Sequence, residues 1–250
     1  MRQFLILIIA LAFLGCKQES KKNTLYIAVA ANARFATAEI IQAFKETVDC
    51  DVEMIVGSSG KLTAQIEQGA PYHVFLSADL KYPAYLSSKG FTVSDPEVYA
   101  KGALVLWSSE KRMAIELDSL TSKQFRSIAI ANPLNAPYGE AAVEMLQNAG
   151  IYDLVKGKLV YGESISQTTQ FISTGSADAG FTALSVLRSP QFAGQGTSRE
   201  VPENLYPPIE QGMVILKSGN RKMQEVAYRF RDFLFSPESR SILEKWGYRL

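Results

Sequence analysis

Strand-like and helix-like stretches alternate along this chain, and that alternation limits its fold more than any other feature. The β-rich stretch 24–30 is followed by apolar residues at helical spacing in 33–46, and the alternation continues to a last helix-like stretch at 237–246. Such an order is typical of mostly parallel sheets covered by helices. The pattern restarts near Gly102, and the polar, glycine-rich stretch 191–203 is predicted to be a loop.

The first 16 residues have the pattern of an export signal. Arg2 supplies a short positive region, and the apolar run 4–14 is too short to span a bilayer. The run ends in a small residue followed by Cys16, which predicts cleavage there and lipidation of Cys16; an ordinary secretory signal cut nearby is the alternative. The polar stretch 17–23 then reads as a flexible tether.

Composition narrows the classes of function. A chain of 250 residues is long enough for two lobes with separate cores, and a net charge of +1 gives no field that would attract nucleic acid. If Cys16 carries lipid, Cys50 has no partner for a disulfide. No cluster of Cys and His residues indicates a site for a metal cation.

Polar or glycine-containing loops stand at four junctions between a predicted strand and a predicted helix. In doubly wound sheets, ligands lie beyond the carboxyl ends of the strands, where such loops are found. A helix N-terminus presents free N–H groups and a positive dipole end, which together bind an anion without Lys or Arg. Asn and Ser at these places are also ordinary helix caps. The loops are 30–33, 57–60, 135–139 and 162–166.

Several segments resemble periplasmic molybdate-binding proteins of ABC transporters. The most specific is GSSGKLTAQIEQGAPYHVFLSAD at 57–79. The opening LYIAVAAN at 25–32, the segment 132–139 and the C-terminal segment 230–247 are also similar to that family. The resemblance covers nearly the whole chain after the tether.

The resemblance implies an α/β, two-lobed type II periplasmic binding protein fold, in which each lobe is a mostly parallel sheet flanked by helices. Residues 24–102 plus 211–250 would form lobe I, and residues 103–210 would form lobe II. The implied function is that of an extracytoplasmic solute-binding protein, not an enzyme, without a cofactor. It would be a monomer that carries molybdate or tungstate to a permease with its ATPase and meets the membrane only through its lipid anchor.

The family's ligand residues carry over to this sequence position by position. Asn32 and Ser59 would offer side-chain and backbone donors from lobe I, whereas Tyr138, at the rim, and Ile165 would offer backbone N–H groups from lobe II. Charge-assisted hydrogen bonds of this kind are strong, and a site without acceptors disfavours a protonated anion such as hydrogen phosphate. The predicted supporting loop residues are Ala31, Ser58, Gly60 and Pro137.

Two positions depart from the family pattern. Ala183 stands where some members have a tyrosine that contacts the ligand, and we expect Asn32 to compensate. His73 stands where an aspartate is frequent, and it is predicted to be a packing or hydrogen-bonding residue. Arg34 and Lys61 lie just after two of the loops and are predicted to be solvated surface residues.

Two other functions remain open at this point. Ser58 and Lys61 form a Ser-x-x-Lys match at a helix start, the arrangement of nucleophile and base in penicillin-binding proteins and β-lactamases. No Ser-Asp-Asn triplet follows it, which weighs against that interpretation. The second alternative is an oxyanion sensor of the same fold that takes no part in transport.

Overall fold

The computed structural model describes residues 24–111 and 115–250. The predicted export signal, with Cys16, and the tether 17–23 lie outside the described residues. No helix in the described part of the chain is long and apolar enough to cross a membrane.

The first sheet has five strands within the described ranges, in the order β2-β1-β3-β10-β4. Strand β1 is parallel to β2 and β3, and β10 is antiparallel to both β3 and β4. Four of these strands therefore point one way, and β10 alone points the other way. The strands are β1 (Thr24–Ala30), β2 (Asp51–Gly57), β3 (Val74–Leu76), β4 (Glu97–Gly102) and β10 (Ile209–Ile215).

The second sheet repeats this arrangement in the order β7-β6-β8-β5-β9, again counting described residues only. Here β5 is the one strand that opposes the others. The predicted two-lobed, mostly parallel α/β architecture is confirmed. The strands are β5 (Leu104–Ser108), β6 (Ile128–Ala131), β7 (Leu159–Gly162), β8 (Ala179–Ala183) and β9 (Thr197–Glu200).

The prediction of a loop over 191–203 is wrong in part, because β9 lies inside it. Strand β9 is a largely exposed edge strand that pairs with the buried β5, Val105 opposite Glu200 and Ser108 opposite Thr197. Its polar side chains gave no strand signal, since backbone pairing rather than burial holds it in the sheet.

Helices cover both sheets, and most of them start shortly after the carboxyl end of a strand. Ser58, Ser164, Asn220 and Ser236 cap helices by accepting a backbone N–H with their side chains. The helices are α1 (Arg34–Lys45), α2 (Ser59–Glu67), α3 (Lys81–Ser88), α4 (Pro137–Asn148), α5 (Tyr152–Val155), α6 (Ile165–Ser173), α7 (Leu184–Leu187), α8 (Arg221–Leu234) and α9 (Pro237–Lys245).

The last two helices return to the first sheet. The chain leaves this sheet after Gly102 and comes back to it at Ile209. Helix α8 then packs Phe230 edge-on against Phe44 of α1, with 5.2 Å between the ring centroids. Each sheet consequently has its own apolar core, and the four polar loops singled out in the sequence meet between the two cores.

Candidate functional site

All four loops singled out in the sequence meet in one cavity between the lobes. Strands β1 and β2 end on its lobe I side, and β6 and β7 end on its lobe II side, so the helices that follow begin at its wall. No charged side chain belongs to the lining. The lining residues are Ala30, Ala31, Asn32, Ser58, Ser59, Ala78, Ala136, Pro137, Tyr138 and Ile165.

Ser59 is the clearest donor on the lobe I side. It is the first residue of α2 and is 1% exposed, and its Oγ accepts the N–H of Ala78 at 3.0 Å. That bond uses an oxygen lone pair, so the hydroxyl hydrogen is left for an acceptor in the cavity. The Ser59 N–H is also left, because a first helical N–H has no acceptor within its helix. The cap of α2 is Ser58, whose Oγ accepts the Lys61 N–H at 3.4 Å.

The side chain of Asn32 does not donate hydrogen bonds into the cavity. Its Nδ2 donates to Gln211 Oε1 at 2.6 Å and to Tyr248 Oη at 3.0 Å, which uses both amide hydrogens. The Gln211 amide nitrogen in turn donates to the carbonyls of Ala78 and Ile209, so the direction of the whole chain is fixed. Asn32 thus offers the cavity its backbone N–H only, and the predicted side-chain donor is occupied inside the protein.

The lobe II side of the cavity offers main-chain donors. Ile165 is the first residue of α6, after the cap Ser164, and Tyr138 is the second residue of α4, after Pro137. The next two N–H groups of α4 both donate to the Ala136 carbonyl, at 2.8 and 3.2 Å, which leaves the Tyr138 N–H without an acceptor among the described residues.

The sequence predicted that Tyr138 lies at the rim of the cavity, but its side chain is buried elsewhere. It is 1% exposed, and its hydroxyl lies against Gly102 and near Gln211, where the chain passes between lobes. Burial raises the pKa of Tyr138 well above its ordinary value. The hydroxyl has no hydrogen-bond partner within the described ranges. Tyr138 therefore presents its backbone to the cavity and its ring to the crossover strands.

The two residues that depart from the family pattern, Ala183 and His73, are both buried. Ala183, at the end of β8, has no exposed surface and no hydroxyl to give. His73 precedes β3, and its Nδ1 accepts the Tyr26 N–H at 3.0 Å while the two rings stack. Burial lowers the pKa of His73, which favours the neutral form that this bond requires. His73 lies at the start of the central strand of the lobe I sheet, bonded to Tyr26 on one side and Leu216 on the other, and is not part of the cavity lining.

The nearby cations lie outside the cavity. Lys61 pairs with Glu163 across the cleft at 2.6 Å, and both side chains are 51% exposed. Arg34 donates to Gln191 at 3.3 Å. Because Lys61 Nζ points to Glu163 and the Ser58 hydroxyl caps a helix, the two are not arranged as base and nucleophile. The acyl-transfer alternative therefore has no support in the geometry.

A comparison with protein families matches residues 25–249 to a model described as bacterial extracellular solute-binding protein. The chain belongs to this family. The match spans both lobes and every loop of the cavity.

Individual relatives of this solute-binding protein carry more specific names. The molybdate-binding protein ModA of Rhodobacter capsulatus is 41% identical over 224 residues, 88% of this chain and 86% of the relative. ModA of Azotobacter vinelandii is 36% identical over 249 residues, 98% of this chain and 97% of the relative. The solved structure of the Azotobacter vinelandii periplasmic molybdate-binding protein superposes with a TM-score of 0.84 at 33% identity, covering 90% of this chain and 99% of that one.

Proposed function

We propose that this solute-binding protein captures molybdate or tungstate outside the cytoplasm and delivers it to an ABC importer. The observation that carries the proposal is the convergence of four helix-starting loops on one buried cavity that contains no charged side chain. Two relatives of at least 36% identity, named as molybdate-binding proteins, support the choice of anion.

The chemistry of the cavity fits a tetrahedral dianion. Ser59 would donate from its hydroxyl and its N–H, and the N–H groups of Asn32, Tyr138 and Ile165 would donate from other directions. The positive ends of α2, α4 and α6 would add to the attraction. A fully deprotonated anion needs only donors, whereas hydrogen phosphate brings a hydroxyl that needs an acceptor. Donors of this kind would therefore favour molybdate over phosphate.

Contacts between the lobes supply the closure that would bury the anion. The Gly60 N–H donates to the Asn135 carbonyl at 2.9 Å, and Ser185 Oγ donates to the Asn32 carbonyl at 2.8 Å. Both bonds join lobe I to lobe II beside the cavity. An anion held by donors from both lobes would stabilise this closed arrangement, since it would connect the same two surfaces.

The delivery partner we propose is a membrane permease with its ATPase, reached by a monomer that a lipid on Cys16 holds at the membrane. The support is the sequence pattern before Cys16 and a Bacillus subtilis relative, 28% identical over 232 residues, whose name describes it as an ABC transporter substrate-binding lipoprotein. Cys16→Ser is expected to release the protein from the membrane fraction. Unchanged membrane association of this variant would refute the anchor.

Calorimetric titration of the purified protein tests the choice of anion. Molybdate, tungstate, sulfate, phosphate and chromate are titrated under one buffer condition. We expect molybdate and tungstate to bind much more tightly than sulfate or phosphate, and to raise the free energy of unfolding by about 2.7 kcal/mol at a hundredfold excess over Kd. Tighter binding of phosphate, or no binding of molybdate, would refute the proposal.

A further inference from the structure

Gly102 occupies a place where no other residue fits the closed arrangement of the lobes. A Cβ at this position would lie 2.0 Å from Tyr138 Oη and 3.1 Å from both Tyr138 Cζ and Gln211 Nε2. The backbone itself would accept alanine, because the φ of Gly102 is not positive. The tyrosine hydroxyl is by far the closest atom, whereas the two contacts at 3.1 Å need a shift of only a few tenths of an ångström, so the exclusion comes mainly from one atom of the opposite lobe.

The contact between Gly102 and Tyr138 lies where a small displacement would change how far the cleft opens. Gly102 is the last residue of β4, just before the chain crosses to lobe II, and it pairs with Ile209, the residue at which the chain enters β10. Tyr138 comes from α4 in lobe II. If the lobes turn about the two crossover segments, a contact beside both of them lies near the axis of that rotation. A displacement of about an ångström there opens the distant mouth of the cleft by more.

Tyr138 also connects this contact to the cavity. Its N–H, at the start of α4, faces the cavity, while its hydroxyl lies against Gly102. The ring is fully buried and rigidly placed, so moving the hydroxyl moves the N–H as well.

We propose that Gly102 and the Tyr138 side chain form a steric stop that sets how far the lobes close. Gly102 is then a positioning residue that determines affinity for the solute without touching it. Its effect on anion binding rests on the proposed function, whereas its effect on lobe closure does not. Gly60 is a second glycine that packs closely against the opposite lobe, since a Cβ there would lie 2.8 Å from Asn135 Cβ and 2.9 Å from its Cα.

A double-mutant cycle tests the stop. Gly102→Ala is made in the wild-type protein and in Tyr138→Phe, and molybdate affinity is measured by calorimetry for all four proteins. With tyrosine present, we expect Gly102→Ala to weaken binding by about 10- to 100-fold, the range for an overpacked contact. With phenylalanine the nearest ring atom is 3.1 Å away, and the penalty of the same substitution is expected to fall below about threefold. Gly157→Ala is the matched control, because a Cβ there meets nothing within 4 Å.

Small-angle X-ray scattering of the ligand-free proteins gives a readout that does not depend on the anion. Gly102→Ala is expected to enlarge the radius of gyration relative to Gly157→Ala, and adding Tyr138→Phe is expected to reverse most of that change. If the wild-type protein bound no molybdate but scattering showed this reversal, the proposed function would fail and the stop would stand.

Equal penalties for Gly102→Ala with tyrosine and with phenylalanine, or no penalty in either, would overturn the stop. If the Gly102→Ala protein does not fold, the test becomes whether adding Tyr138→Phe restores folding. In that case recovery of folding by Tyr138→Phe supports the contact, and failure to recover refutes it as the cause.

Discussion

In the proposed binding site, the two sides of the cleft present their donors in different ways. Lobe I contributes a side-chain hydroxyl, from Ser59, as well as main-chain N–H groups. Lobe II contributes main-chain N–H groups, from Tyr138 and Ile165. Donors of the first kind are lost by one ordinary substitution, whereas those of the second kind survive every substitution except proline. The lobe II side chains are therefore free to serve packing, and Tyr138 does so at the crossover strands.

Ile165→Pro is the sharpest way to remove a lobe II donor. Proline is well tolerated at the first position of a helix, so the change removes the N–H with little harm to α6. Because a hydrogen bond to a charged group contributes about 1.5–3 kcal/mol, we expect molybdate affinity to fall on the order of a hundredfold.

Ile165→Ala keeps the N–H and serves as the control for the lost side chain. Calorimetry on both variants, with unfolding of the ligand-free proteins measured in parallel, separates binding from stability. Equal losses of affinity for alanine and proline would show that the Ile165 N–H does not reach the anion.

Ser59→Ala is the corresponding change on the lobe I side. It removes the hydroxyl but keeps the N–H, and we expect a loss of affinity of about tenfold or somewhat more. It also leaves the Ala78 N–H without its acceptor, so part of the effect is lost stability. Ser58→Ala removes the cap of α2 and is the control for lost stability, since the loss of a cap lowers the free energy of unfolding by about 1 kcal/mol. A loss of binding no larger than the loss of stability at Ser59 would return it to a purely structural role.

Asn32→Ala tests the division within lobe I. Since its Nδ2 binds Gln211 and Tyr248, the substitution leaves the buried Gln211 Oε1 without its donor and removes one of the two bonds of Tyr248 Oη, which still donates to the carbonyl of residue 32. We expect the free energy of unfolding of the ligand-free protein to fall by about 1–3 kcal/mol in chemical denaturation. Affinity is expected to fall less than in Ser59→Ala, because the Asn32 N–H remains. A variant of unchanged stability with strongly weakened binding would mean that the Asn32 amide serves the anion.

The smallest effect concerns pH. The pKa of His73 lies below its ordinary value of 6.5 because of burial, so the unfolded chain takes up this proton before the folded protein does. The free energy of unfolding is therefore expected to fall as the pH drops below about 6.5. His73→Asn places an acceptor near the Tyr26 N–H without a titrating group, and should remove this component. Molybdate affinity should not follow the same curve, since no lining side chain titrates in that range.

Much of the fold and the position of the cleft were predictable from the sequence. The period of the apolar residues in 33–46 predicted α1 within a residue at each end, and the four loops followed from the polar residues at the strand ends. Strand β9 was not predictable, since an exposed edge strand carries no apolar alternation.

The use of individual side chains could not be predicted either. Asn32 and Tyr138 stand in two of the cavity loops, yet the Asn32 side chain bonds to Gln211 and Tyr248 and the Tyr138 side chain packs against Gly102. Gln211 and Tyr248 are 179 and 216 residues away from Asn32 in the sequence, and Gly102 lies in a different lobe from Tyr138. A local pattern shows that a loop is polar, but it does not show which of its polar groups long-range packing uses.

The most direct test is to locate the metal atom itself. Crystals of the protein grown with sodium molybdate are measured at the molybdenum absorption edge, where anomalous scattering marks molybdenum alone. The proposed site requires one strong peak in the cavity between the lobes. The oxygen atoms should lie about 2.7–3.1 Å from Ser59 Oγ and from the backbone nitrogens of Asn32, Ser59, Tyr138 and Ile165. A peak elsewhere in the molecule, or an empty cavity in a protein that binds molybdate in solution, would contradict it.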